Sequence, residues 1–188
     1  VWQREGFPDF RMAVNVSARQ FRDGGILRAL KGLLAANEVT PGSLELEVTE
    51  SSMMENMDES IGILRELRGL GASISLDDFG TGYSSLSALQ QFPIGTLKID
   101  QSFVQHATTS HDQATIVALI IEMGHTLRLD VVAEGVESEE QLRFLKALNC
   151  DYAQGLLFGR AMAADDFRDL VIDQVGGAGR YRPLFARG

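Results

Sequence analysis

Two adjacent aspartates, Asp77 and Asp78, carry the clearest chemical signal in this chain. They follow the apolar run 74–76 and open onto the glycine-hinged stretch 79–85. Two bare carboxylates side by side repel each other, and a divalent cation is the simplest relief. Successive strand residues point to opposite faces, so the pair is expected to share an ion only where the strand ends and the chain turns. Oxygen donors of this hardness suit magnesium, manganese or calcium better than zinc. The competing explanation is a turn in which aspartate caps the backbone and glycine supplies positive φ.

Other short apolar runs also end in oxygen-bearing or charged residues. Residues 11–16 contain Asn15, and 43–49 alternate Leu44, Leu46 and Val48 with Glu45, Glu47 and Thr49 before closing on Glu50. Residues 96–100 set Lys98 and Asp100 around Leu97 and Ile99. The run 130–134 ends on Glu134, and 152–158 hold Gln154. With 74–78 these make six expected strands. A single acid at such an end is readily explained as a helix cap. A whole set, with Lys98 and Gln154, points to one site.

The strands must be positioned by the segments between them. Ile26, Leu27, Leu30, Leu33 and Leu34 form one helical stripe, and Ile61, Leu64, Leu67 and Leu70 another, which Gly71 ends. Ile116, Leu119, Ile120 and Met123 form a third. Ser138 and Gln141 make a capping box ahead of Leu142, Leu145 and Leu148, and Phe167, Leu170 and Val171 suggest a last helix. Alternating strands and helices imply a parallel α/β sheet. An open doubly wound sheet would place functional groups at one switch point, whereas a (β/α) TIM-like barrel takes them from every strand. Groups spread over all six strand ends favour the barrel.

Composition narrows the function. With 188 residues, 45% of them hydrophobic, the chain can bury one substantial core. Seventeen basic against 26 acidic residues give a net charge of −9, a poor match to a nucleic-acid polymer or an acidic membrane. Cys150 is the only cysteine, so no disulfide forms within the chain, and a buried thiol is expected. The run 116–121 is far too short to span a bilayer, and the first residues show no signal-peptide pattern. His106, His111 and His125 lack metal-ligand spacing. Met53, Met54 and Met57 read as packing residues, and Ser17 and Ser84 have no histidine partner pattern. Residues 1–175 are expected to form the barrel domain and 176–188 a tail containing Arg180, Tyr181 and Arg182.

Taken together, Asn15-Val16-Ser17, Glu47-Val48-Thr49-Glu50, Asp77-Asp78-Phe79-Gly80, Lys98-Ile99-Asp100, Ala133-Glu134-Gly135-Val136-Glu137 and Gln154-Gly155 resemble the successive motifs of the EAL domain family. Their order and spacing match across nearly the whole chain. The resemblance implies a modified (β/α) barrel that hydrolyses cyclic di-GMP, a bacterial second messenger, to linear pGpG. The alternative is an inactive receptor that only binds cyclic di-GMP, although such receptors usually lack some of the acids found here.

The resemblance also implies roles. Asn15, Glu47, Asp77, Asp78 and Glu134 would hold two Mg2+ or Mn2+ ions per active site, with Asp77 bridging. Lys98 would contact the attacking water or the phosphate, and Asp100 would support that neighbourhood. Gln154 would lie near water and substrate, Glu137 would recognise a guanine, and Glu50 would hold the loop 79–85 in its active position. A homodimer, a cytoplasmic location and fusion to sensory or GGDEF-type domains are implied as well. No Glu-Ala-Leu tripeptide occurs here. The family's longer N-terminal part, with a metal-binding glutamate and a phosphate-contacting arginine, has no counterpart, so a segment of a longer chain is expected. Leu156 and Ala161 stand where the family often has an aromatic residue and a proline.

Overall fold

The structure is a computed structural model that describes residues 11–36, 40, 42–81 and 86–175. Six strands, β1 (Met12–Asn15), β2 (Leu44–Thr49), β3 (Ser73–Phe79), β4 (Thr96–Ile99), β5 (Asp130–Ala133) and β6 (Tyr152–Ala153), lie side by side in sequence order. Every neighbouring pair is parallel. The described helices are α1 (Ala18–Arg22), α2 (Gly25–Ala35), α3 (Glu50–Met54), α4 (Met57–Gly69), α5 (Leu86–Leu89), α6 (Gln101–Val104), α7 (His111–Thr126), α8 (Glu139–Ala147) and α9 (Ala164–Val175).

The strand order contains no reversal and therefore no switch point. Right-handed crossovers in unbroken order put the connecting helices on one face, and the sheet curls with its other face inward. The result is a curled half-barrel, as the strand-end count leads one to expect of a partial TIM-like barrel. Strand alternation then gives the two faces opposite chemistry. Leu46 and Val48, Ile74 and Leu76, Leu97 and Ile99, and Val131 and Ala133 are buried in the main core with Leu64, Leu67, Val117, Ile121 and Leu145 of the helices. The residues of opposite parity, Glu47, Ser75, Asp77, Thr96 and Lys98, are buried too, but polar.

Three helices hand the chain to the next strand by the same device. Gly71, Arg128 and Asn149 follow the caps of α4, α7 and α8 with φ of 93°, 61° and 58°. Each donates its N–H back to the helix, to Arg68, His125 and Lys146, and the next residue donates to Leu67, Gly124 and Leu145. These paired bonds define a Schellman end, which satisfies carbonyls that the helix itself leaves open. Glycine announces only the first of them in the sequence.

Several elements differ from expectation. The last strand stops at Ala153 rather than continuing to residue 158. The loop after β5 takes its hydrogen bonds instead: Val136 N–H donates to Gln154 O, and Leu157 N–H donates to Val136 O, both at 3.0 Å. Gly155 fits there because a Cβ would stand 2.2 Å from Val136 O. In α7 the buried line is Val117, Ile120, Ile121 and Gly124, whereas Ile116 and Leu119 are exposed. Gly124 sets that face, since a Cβ there would meet Val131 Cγ2 at 2.4 Å. The short helices α1, α3, α5 and α6 lack enough turns to show a period in sequence. Met53 is buried and Met54 and Met57 pack against the core. Residues 82–85, with Ser84, and the expected tail 176–188 lie outside the described residues. Among the described residues no helix is long and apolar enough to cross a membrane.

Candidate active site

The aspartate pair sits on an irregularity inside β3 rather than beyond its end. Leu76 pairs with Leu97 and Phe79 with Ile99, so β3 spans this interval with one more residue than β4. A bulge of this kind opposes two residues to one and re-aims their side chains. Asp78 absorbs the extra residue by adopting φ of 55°, in the left-handed region. The strict alternation that would separate the two carboxylates is thereby broken. Asp77, Asp78 and Glu134 each offer an oxygen within 4.8 Å of the others.

Lys98 lies at the centre of this acidic set and is only 3% exposed. Its Nζ is 2.6 Å from Glu47 Oε1, 2.5 Å from Glu134 Oε1 and 3.3 Å from Asp77 Oδ1. The register explains the convergence: Asn15 of β1 stands beside Glu47 of β2, and Thr49 beside Asp77. Across the sheet Ile99 pairs with Ala133, which sets Glu134 one residue above and level with Asp100. Glu47 and Lys98 lie within their strands rather than at the ends, because the curl of the sheet brings mid-strand side chains to the same point.

The electrostatics are those of a crowded, partly dry site. Burial opposes the charge of Lys98, yet hydrogen bonds to Glu134 and Glu47 and the fields of Glu134 and Asp77 win, and its pKa is raised. Lys98 is therefore an ammonium. Burial, then Asp77 and Asp100, push the Asp78 carboxyl up. Burial also pushes Glu134 up, helped by Asp77 and Glu47 and opposed by Lys98. Three carboxylates surround one ammonium. The contact of Asp77 with Lys98 is one of charge alone, since buried Asp77 Oδ1 accepts no hydrogen bond among the described residues. A buried carboxylate oxygen that accepts no hydrogen bond, beside two further carboxylates, is a donor set that fits a hard divalent cation.

The remaining candidates surround this centre. Asp100 caps α6, its Oδ1 accepting from Ser102 N–H at 3.0 Å and from the Ser102 hydroxyl. Glu50 is buried at the start of α3, and Gly80 N–H donates to its Oε2 at 3.4 Å. Gly80 itself, at φ of 99°, is held against Phe103, which a Cβ would approach to 2.7 Å. The Thr81 hydroxyl donates to Asp78 O at 2.8 Å. Glu137 is exposed in the loop between β5 and α8, and its N–H donates to Gln141 Oε1 at 2.8 Å. Gln154 is exposed just past β6, with its N–H bonded to Ala133 O at 2.8 Å. Two features escaped the sequence reading. Ser75, fully buried two residues before Asp77, has a hydroxyl without a partner among the described residues. Gln141 does more than cap its helix, since its amide also reaches Val104 O and Gln105 O. His125 is far from a metal-ligand role, paired at 2.9 Å with Asp151.

Comparison with known proteins agrees with this geometry. The chain is 45% identical over 165 residues to the bifunctional diguanylate cyclase/cyclic di-GMP phosphodiesterase MucR of Pseudomonas aeruginosa, covering 88% of this chain and 24% of that protein. The chain spans about a fifth to a quarter of the length of the curated relatives it matches. It superposes on the PaMucR phosphodiesterase in complex with c-di-GMP with a TM-score of 0.85 at 44% identity, covering 88% of this chain and 67% of that one. A manganese/cy-diGMP complex of Klebsiella pneumoniae BlrP1 gives a TM-score of 0.74 at 30% identity, over 85% of this chain and 41% of that one. Residues 1–161 match the family model described as EAL domain, and with the six motifs converging on one parallel half-barrel, the chain belongs to the EAL domain family.

Proposed function

We propose that this domain is a divalent-metal-dependent phosphodiesterase that hydrolyses cyclic di-GMP to linear pGpG. One observation carries the reading: Lys98 is buried among Glu47, Asp77 and Glu134, beside an Asp77–Asp78–Glu134 cluster of converging oxygens. Asn15, Glu47, Asp77, Asp78 and Glu134 would hold two Mg2+ or Mn2+ ions. When bound, such ions neutralise phosphoryl charge and lower the pKa of water.

The chain's own residues supply the rest. A linear product bearing a 5′ phosphate requires water oxygen to bond to phosphorus while the bond from phosphorus to the ribose 3′ oxygen breaks. That oxygen leaves with a proton. Lys98, held as an ammonium, stabilises developing negative charge and orients the reacting groups; it has no free lone pair with which to act as base. Asp100, which caps α6, would support the neighbourhood of Lys98. Gln154 would orient water and substrate, Glu137 would accept from a guanine edge, and Glu50 would hold the loop that carries Asp78 and Gly80.

The test uses the intact protein with magnesium or manganese, following linear pGpG from cyclic di-GMP. Product that a chelator abolishes is expected. Binding without product would identify a receptor instead, and neither would leave a scaffold. The same reading places the domain in the bacterial cytoplasm, homodimeric and fused to sensory or GGDEF-type domains, which the sedimentation and domain content of the intact protein would check.

A further inference from the structure

Gln141 joins two loops at the rim of the site. Its Oε1 accepts from the N–H of Glu137 at 2.8 Å and of Ser138 at 3.0 Å. Its Nε2 donates to Val104 O at 3.4 Å and Gln105 O at 3.5 Å. The residue is 7% exposed, and its amide oxygen accepts twice while its amide nitrogen donates to two carbonyls. The bond to Ser138 belongs to the capping box and requires only a helix start. The bonds to Val104 and Gln105 reach a different element, α6 and its C-cap, which follows directly from the strand that carries Lys98. The same two loops touch again at Gly135, where a Cβ would stand 2.5 Å from Gln101 Cβ.

We propose that Gln141 is a positioning residue for base recognition: by tying the main chain of Glu137 to α6, it sets where the Glu137 carboxylate meets a guanine. This rests on the reading that Glu137 contacts that base. Held at one end by the cap and at the other by α6, the Glu137 segment keeps a fixed distance from Lys98, and so from a phosphodiester bound there.

Gln141→Glu separates the tether from the cap. A glutamate still accepts from Glu137 and Ser138, as it does in other capping boxes, but has no hydrogen to give Val104 or Gln105. In the intact protein, Q141E is expected to raise KM for cyclic di-GMP about tenfold with kcat within about twofold. Hydrolysis of bis(p-nitrophenyl) phosphate, a diester without guanine, stays at the parent level. Amide exchange at Glu137 and Ser138 in the ligand-free protein becomes faster. Gln141→Met, which loses the cap as well, shows the same KM change together with a lower thermal midpoint. Parent-like KM and exchange in Q141E overturn the proposal, and so does an equal loss on both diesters. If the intact parent hydrolyses no cyclic di-GMP, the functional reading falls and the guanine role with it, while the exchange comparison still decides whether the tether exists.

Discussion

Lys98 shows how much one buried charge depends on its surroundings. An isolated ammonium would be driven neutral by burial, but three carboxylates within 3.3 Å hold it charged. The reverse holds for the acids, which outnumber the ammonium and leave Asp77 Oδ1 without a hydrogen bond. Asp77→Ala is therefore expected to lower turnover of cyclic di-GMP at least about a hundredfold while changing folding stability by no more than about 1 kcal/mol. Lys98 keeps Glu47 and Glu134 in that variant, so no buried charge is stranded. Product formation and a denaturant midpoint, measured together, check this, and full activity would refute the assigned role of Asp77.

At the scale of elements, the bulge in β3 and the start of α3 form one unit. Asp78 turns with φ of 55°, Gly80 follows in the left-handed region, and Gly80 N–H is held by Glu50. Removing that acceptor with Glu50→Ala should loosen the segment that aims Asp78 and lower kcat about tenfold without unfolding the domain. Steady-state kinetics with a metal titration would show it; unchanged turnover and metal affinity would exclude the coupling. The Schellman ends make a separate claim about stability. Arg128 is exposed at φ of 61°, a conformation that costs any residue with a Cβ. Arg128→Gly should stabilise the fold by about 0.5–1 kcal/mol, read as a higher denaturant midpoint with unchanged slope.

For the whole molecule, Cys150 reports on cooperativity. It is buried between α8 and β6, its thiol shared between Val131 O and Tyr152 O, and burial pushes its pKa up to about 12. Because the folded value is raised, the neutral thiol's contribution to stability is complete below its ordinary pKa of 9.0 and fades as pH climbs towards 12. Denaturant midpoints should accordingly fall between pH 9 and 11. At pH 8 a thiol reagent should label Cys150 only as fast as the domain opens, so the rate should rise steeply with denaturant. A labelling rate that ignores denaturant would mean local access instead.

Much of this molecule was legible before any coordinates. The period-2 run at β2, the stripes of α2, α4 and α8, and the acids and Lys98 near strand ends follow from residue type and spacing, and with the six motifs they identify a parallel barrel of the EAL family. Those signals are local, because periodicity reports which face an element buries and a capping residue reports where a helix begins. Other features required the packed chain. The bulge that brings Asp77 and Asp78 together depends on the register between β3 and β4. The ring of carboxylates around Lys98 depends on strands far apart in sequence curling towards each other, and the buried face of α7 depends on where Gly124 meets Val131. Sequence determined which charged and polar groups this protein carries. Tertiary structure alone decided which of them meet, since register and curvature are collective properties of several elements and leave no mark on any one of them.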